Sequence, residues 1–346
     1  MKKLVLSSIF LALVVIVLGA YTRLTDAGLG CPDWPGCYGH ILVPQQEHHI
    51  DAANQAFPER PVEAEKAWNE MIHRYFAATL GFLIMVTFIS AIIAKLKGKK
   101  RPFKLPFAVF LLVCFQGALG MWTVTMNLLP VVVMAHLLGG FTVLSCLFLL
   151  YLRMSNVSIP SKDTKLGNYT KFGVIGIVLL VGQIALGGWT SANYASLVCT
   201  ELPICEGDWQ AKFDLAGAFS VPAADNYEFG VHTNDERVTM HVLHRFGAIV
   251  VTLYLSWLAF TLFTKGKSAM VKRMSVLLML VLSIQVGLGI SNVVFMLPLT
   301  VATMHNAVAA CLLLVLLLVT YTLFHAKARE ESPAKINQNM TSAVLE

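Results

Sequence analysis

The chain has 346 residues, of which 56% are hydrophobic and only 13% charged, with a mean hydropathy of +0.67 and a formal net charge of +6. Soluble domains carry roughly 25% charged residues, so this composition excludes an ordinary soluble enzyme and describes an integral membrane protein. No basic cluster interleaved with aromatics occurs, so the net positive charge implies no nucleic-acid partner.

A membrane-spanning helix needs about 20 mostly apolar residues. Eight stretches qualify: 4–22, 72–94, 105–126, 130–152, 170–191, 239–263, 272–296 and 299–324. The first follows Lys2 and Lys3 as a signal peptide would, but its apolar core is too long and no A-x-A site follows, so an anchored helix is expected. Lysines and arginines fix the orientation. The amino terminus, the segments 95–104, 153–171 and 264–273 and the carboxyl end hold 19 of the 26, whereas 16 of the 20 acids lie in 23–70 and 201–236. Both termini are therefore expected in the cytoplasm, with the long loops 23–71 and 192–238 outside.

The first long loop opens with "GLGCPDWPGCYGH". Cys31 and Cys37 lie in it, and Cys199 and Cys205 lie in the second long loop. Outside the cytoplasm the compartment is oxidising, so paired thiols normally become disulfides, here Cys31 with Cys37 and Cys199 with Cys205. Pro32, Pro35 and Gly36 favour a turn tight enough for that bond. A redox-active bridge is the alternative. A metal site is disfavoured because no third or fourth ligand repeats with the pairs. Cys114, Cys146 and Cys311 fall within apolar runs and are expected as buried packing residues. The extra loop histidines His40, His48, His49 and His232 read as solvated. "PVEAEKAWNEMIHR" reads as an amphipathic helix running into the second span, with Pro61 at its start.

The chain also repeats itself. Cys31 and Cys37 recur 168 residues on as Cys199 and Cys205, Gln116 and His136 recur 169 on as Gln285 and His305, and His73-Arg74 recurs as His244-Arg245. The expected fold is all-α: eight transmembrane helices in two tandem pseudo-symmetric four-helix bundles, parallel in topology. The halves are 1–155 and 156–326, followed by a polar cytoplasmic tail, 327–346. Outward helices carry Leu18-Gly19, Leu119-Gly120, Leu186-Gly187 and Leu288-Gly289. Inward helices carry one histidine each near their outer ends: His73, His136, His244 and His305. Pro130 and Pro298 mark tight hairpins.

A histidine in a membrane helix is costly and by default functional. Four at one depth favour metal chemistry over four unrelated interhelical hydrogen bonds. Imidazole suits zinc, copper and iron, and axial histidine is common on haem. No cysteine or aspartate shares their depth, which disfavours zinc or copper. The repeat favours pairing His73 with His136 and His244 with His305, with the glycines clearing space for a flat ring. Arg74 and Arg245 read either as partners for haem propionates or as interfacial snorkelling residues. Glu70 shares a helix face with His73, while its counterpart is His241. Arg23 has only Ser191 as its counterpart. Glu70 reads either as a proton-handling acid beside a haem or as a surface acid at a helix start.

The motifs "GAYTRLTDAGLGCPDWPGCYG" and "EMIHR", His136, and the repeated C-x5-C, "HR" and His305 closely resemble the haem A synthase family, of the bacterial type that carries cysteine pairs. The resemblance covers 1–325. It implies an oxidoreductase of the bacterial inner membrane that serves cytochrome c oxidase assembly. Such an enzyme converts haem O to haem A by oxidising a ring methyl to a formyl group, through two hydroxylations and loss of water. It implies His73 and His136 about the substrate haem, His244 and His305 on a bound haem b, and Glu70 as the catalytic acid, with Arg23 beside Arg74 and Arg245 as candidate propionate contacts. Haem O synthase, oxidase assembly factors and an unidentified electron donor are the implied partners, and a homo-oligomer is left open. A dihaem electron-transfer cytochrome and a haem carrier without chemistry are the competing readings.

Overall fold

The computed structural model describes residues 1–343 except 100, 101, 156, 158 and 159, with side chains described to 326 but not at 161. Of the tail 327–346, only the helical backbone to Ala343 falls within the described residues. The elements are α1 (Lys2–Leu24), α2 (Glu47–Ala56), α3 (Ala64–Leu96), α4 (Lys104–Thr125), α5 (Pro130–Arg153), α6 (Thr170–Ala192), α7 (Leu215–Ala218), α8 (Asn234–Lys265), α9 (Ala269–Val294) and α10 (Leu299–Ala343), with a 3₁₀ helix at Ser161–Tyr169. Eight of these helices are long and apolar enough to cross a membrane. Among the described residues there is no β-strand, only an isolated bridge between Cys37 and His40.

The all-helical architecture follows from the apolar runs, because in lipid every backbone polar group must be satisfied within its own segment. Hydroxyls along the spans bond back to the preceding turn, as Thr22 to Leu18 O (2.9 Å) and Thr87 to Leu83 O (2.9 Å). Phe10, Leu253 and Phe260 stand exposed on helix faces, as lipid-facing side chains do. The 33 residues of α3 rise about 50 Å, well beyond the roughly 30 Å hydrocarbon thickness.

In the first half α1 packs on α3 and α5, and α4 packs on α3 and α5; in the second, α6 packs on α8 and α10, and α9 packs on α8 and α10. The halves meet through α1 on α10 and α5 on α6, equivalent contacts under the repeat. The four-residue hairpins repeat in detail: Asn127 and Leu128 have φ of +46° and +62°, and Met296 and Leu297 have +55° and +61°. Leucine-rich packing, including Leu144, Leu147, Leu255, Leu258, Leu312 and Leu316, fills the bundle away from the long loops. The end nearest the loops is hollow.

The structure departs from the sequence reading in four places. Cys114 and Cys311, expected to be buried, are exposed on their helices, and Cys146 is only half-buried. The long loops contain two short helices, α2 and α7, that no apolar periodicity signalled. Pro61 stands outside α3, whose N-cap is Glu63, because the Pro61 carbonyl accepts the Tyr38 hydroxyl (3.2 Å) and the Val62 N–H donates to Asn54 Oδ1 (2.8 Å). His232 is not solvated. It is 5% exposed and its Nδ1 lies 2.8 Å from Glu236 Oε2, beside the capping box that Thr233 and Glu236 form at the start of α8. His40 and His48 are exposed and His49 is half-buried, with the His49 ring tilted against both others at centroid distances of 4.8 Å to His40 and 4.1 Å to His48.

Candidate functional site

The hollow is a single cavity of about 1400 Å³, lined by His73, His136, His244 and His305 together with Glu70, Arg23, Arg74, His241 and Arg245. Pockets for drug-sized ligands run to roughly 300–1,000 Å³, so this one has room for more than one such ligand. It joins residues of both halves.

Each histidine faces the glycine of a neighbouring span. A Cβ added at Gly19 would lie 3.0 Å from His73 Cε1, at Gly120 3.4 Å from His136 Cε1, at Gly187 2.8 Å from His244 Cε1, and at Gly289 3.2 Å from His305 Cε1. The glycines leave the space that the imidazoles occupy. The His73 and His136 rings sit with centroids 6.5 Å apart at 83°, and Nδ1 of each is buried without a hydrogen-bond partner of good geometry. Imidazole–metal bonds run to about 2.0–2.1 Å, so two rings at this spacing suit a shared central ion with one nitrogen on either side. His244 Nδ1 lies 2.9 Å from Gln183 Nε2, which also donates to the His244 carbonyl (2.8 Å). Gln285 Nε2 lies 3.2 Å from His305 Nε2. Among the described residues no group of three or more His, Cys, Asp or Glu forms a metal cluster. Histidine pairs beside a large apolar cavity fit a metal held mainly by its own macrocycle, as in haem.

Glu70 is 5% exposed, so it is no surface acid. Its Oε2 accepts the Cys31 N–H at 2.8 Å and its Oε1 accepts Arg74 Nη2 at 2.5 Å. The loop that supplies Cys31 is built locally. Asp33 accepts the N–H groups of Tyr38 and Gly39, both at 2.7 Å, where the chain turns through positive φ. Gly30 lies so close to α3 that a Cβ there would come within 2.5 Å of the Lys66 backbone. Cys31 and Cys37 are fully buried and disulfide-bonded, with Cα atoms 4.9 Å apart. Arg74 Nη1 donates to the carbonyls of Asp33 (3.0 Å) and Gly36 (2.6 Å), so this arginine ties Glu70 to the disulfide loop.

The second half repeats the frame with different contents. Cys199 and Cys205 are bonded with Cα atoms 4.7 Å apart. Arg245 donates to Glu201 O (2.6 Å) and Cys199 O (2.7 Å). Glu206 braces this turn by accepting the Thr200 N–H at 3.0 Å. Bonds from its own N–H and from Thr200 hold its carboxyl at about 2, well below the usual range. His241, in the place of Glu70, is 5% exposed with Nδ1 unpartnered.

Arg23 reaches across to the other half. Its Nη2 donates to Ser191 O at 2.6 Å, its guanidinium lies 3.8 Å from the Tyr194 ring centroid, and Asp26 stands 3.5 Å away. Ser191 is the repeat counterpart of Arg23, so the contact lies where the halves meet.

Gln183 stands four residues before Gly187, as Gln116 and Gln285 stand before Gly120 and Gly289, a spacing the sequence shows although the 168-residue offset puts Val15 opposite it. Two participants carried no sequence signal of their own. Tyr194 and Tyr227 stand in loops without period, and Tyr227 crosses to the other half to donate its N–H to Asn127 O (3.0 Å).

Residues 2–317 match the COX15-CtaA family, described as cytochrome oxidase assembly protein. A haem A synthase of Shewanella oneidensis is 52% identical over 315 residues, covering 90% of this chain and 93% of the relative. Haem A synthases of Chelativorans sp. (27% identical, 86% of this chain and 84% of the relative) and Maricaulis maris (26%, 89% and 91%) are also similar over nearly their whole lengths. The chain therefore belongs to the haem A synthase family of cytochrome oxidase assembly proteins.

Proposed function

We propose that this protein is a haem A synthase of the bacterial inner membrane, which oxidises a ring methyl of haem O to the formyl group of haem A. The observation that carries the reading is Glu70, a buried carboxylate aimed into a histidine-lined cavity and held there by Cys31 and Arg74. Methyl to formyl is a four-electron oxidation that passes through two hydroxylations and loses water from a geminal diol.

The half 1–155 is the catalytic one. His73 and His136 hold the substrate haem between α3 and α5. Glu70, one helical turn from His73, takes up or delivers the protons that accompany oxidation at the ring edge. In the half 156–326, His244 and His305 would hold haem b, which would supply one-electron transfer there. Gln183 and Gln285 lie against these two histidines and limit how their rings turn. The apolar cavity wall excludes water from both sites. Both termini face the cytoplasm and the disulfide loops face outward. Haem O synthase supplies the substrate.

The test is haem extraction and chromatography after co-expression with a haem O synthase. Haem A and haem O are expected besides haem b. Haem b alone would overturn the reading in favour of a dihaem electron-transfer cytochrome.

A further inference from the structure

Each disulfide loop carries a large apolar side chain followed by proline at the same place in the repeat: Trp34-Pro35 in the first half and Leu202-Pro203 in the second. All four residues line the cavity, and Trp34 and Leu202 are 42% and 47% exposed, so they stand where the cavity opens past the loops. A tryptophan gains most by burying its ring, and its N–H then finds an acceptor. The Trp34 indole does neither: among the described residues it makes no hydrogen bond and no ring contact. Its backbone, by contrast, is fixed. Arg74 Nη1 donates to the carbonyls of Asp33 (3.0 Å) and Gly36 (2.6 Å) on either side of it, while Arg74 Nη2 holds Glu70 Oε1. One arginine therefore carries the indole and the cavity acid on a common support. Arg245 grips the second loop in the same way, through the Cys199 and Glu201 carbonyls, but the side chain presented there is leucine.

We propose that Trp34 is a substrate-binding residue: its indole packs on haem O at the mouth of the first half and retains both haem O and the once-hydroxylated intermediate until the formyl group is made. This rests on the reading of the first half as the haem O site. Two successive oxidations at one methyl require the intermediate to stay beside Glu70, although its new hydroxyl makes it more polar than the haem that entered. An indole is a large, rigid apolar surface that packs on a flat aromatic ring at low entropic cost. Such a contact contributes about three- to tenfold to retention. The second half carries out no stepwise conversion, and its loop has leucine at this place.

The test uses the full chain purified in detergent after expression with and without a haem O synthase, with the haem in each preparation identified by chromatography. Hydroxynitrobenzyl bromide alkylates exposed indoles, and mass spectrometry of the digested chain reads each tryptophan separately. Trp34 is expected to react about threefold slower when haem O is bound, while Trp257, 44% exposed on α8, reacts equally in both preparations. Equal reactivity of Trp34 overturns the proposal and leaves the indole an interfacial anchor. Trp34→Leu, which copies the second loop, is expected to release haem O to apomyoglobin about three- to tenfold faster and to shed the hydroxylated intermediate, with haem b release unchanged. Trp34→Phe keeps a ring and is expected to stay within about twofold of the parent protein. Unchanged haem O release and no shed intermediate in Trp34→Leu overturn the proposal, and alkylation of the parent protein decides the matter if that variant does not accumulate. Absence of haem O from both preparations overturns the underlying reading, and the role of Trp34 with it.

Discussion

The backbone N–H of Cys31 donates to Glu70 Oε2 at 2.8 Å, so one end of a disulfide is hydrogen-bonded to the cavity acid. Arg74 completes the link, holding the other carboxylate oxygen at 2.5 Å and the Gly36 carbonyl at 2.6 Å. The thiols asked of the sequence whether they were staple, relay or metal site. Their position makes them the frame of Glu70.

Replacing Glu70 with Gln keeps the volume and removes the charge. Haem O should stay bound while its conversion falls by about 10²–10⁴-fold, the usual contribution of a positioned acid or base. Chromatography of extracted haem reads this directly, and normal haem A yield from the variant would rule out a role for the acid.

Cys37→Ala should act on stability and on Glu70 together. Losing the closure of so short a loop should cost about 2 kcal/mol, seen as a lower melting temperature in detergent. Conversion should fall as well, because Cys31 and Arg74 lose the fixed loop that aims the carboxylate. In the double variant with Glu70→Gln the activity losses should not add, since both act through one group. Fully additive losses would separate the disulfide from the acid.

The glycines opposite the histidines should give a graded series. Gly187→Ala brings a Cβ to 2.8 Å from His244, Gly19→Ala to 3.0 Å from His73, and Gly120→Ala only to 3.4 Å from His136. The first two should displace an imidazole and lower haem content in their own half, while the third should be nearly silent. Absorption spectra and haem per polypeptide measure the order, and equal effects at all three would refute the seating role.

Arg60 and Glu228, 168 residues apart and so equivalent under the repeat, approach to 3.4 Å between the long loops of the two halves. Arg60→Glu alone should destabilise by about 1 kcal/mol, and Glu228→Arg added to it should restore most of the loss. A melting series tests this, and a double variant no better than the single would show that the pair does not couple the loops.

The sequence carried the fold class in a signal that no tertiary contact was needed to read. Apolar runs of the right length can only be helices in lipid, and the structure shows eight of them. The histidines and their glycines were legible as a repeat, but which glycine faces which histidine was not. Gly19 and His73 are 54 positions apart in sequence, and only helix packing shows that one makes room for the other. His232 read as a loop residue because nothing local marks its burial against Glu236. Gln183 shares its spacing to Gly187 with Gln116 and Gln285, but only packing brings it against His244.

What the sequence determined by itself was hydrophobic period, spacing and chemical type: eight spans, two halves, four histidines, and a family resemblance that the wider comparison bears out. What only the tertiary structure decided was partnership. That Glu70 is braced by Cys31, that Arg23 lies across Tyr194, and that Gln183 meets His244 depend on side chains far apart in the chain meeting in one cavity. Apolar patterning chooses an element and the face it buries, whereas a hydrogen bond has a length and a direction, and those exist only once the helices have packed.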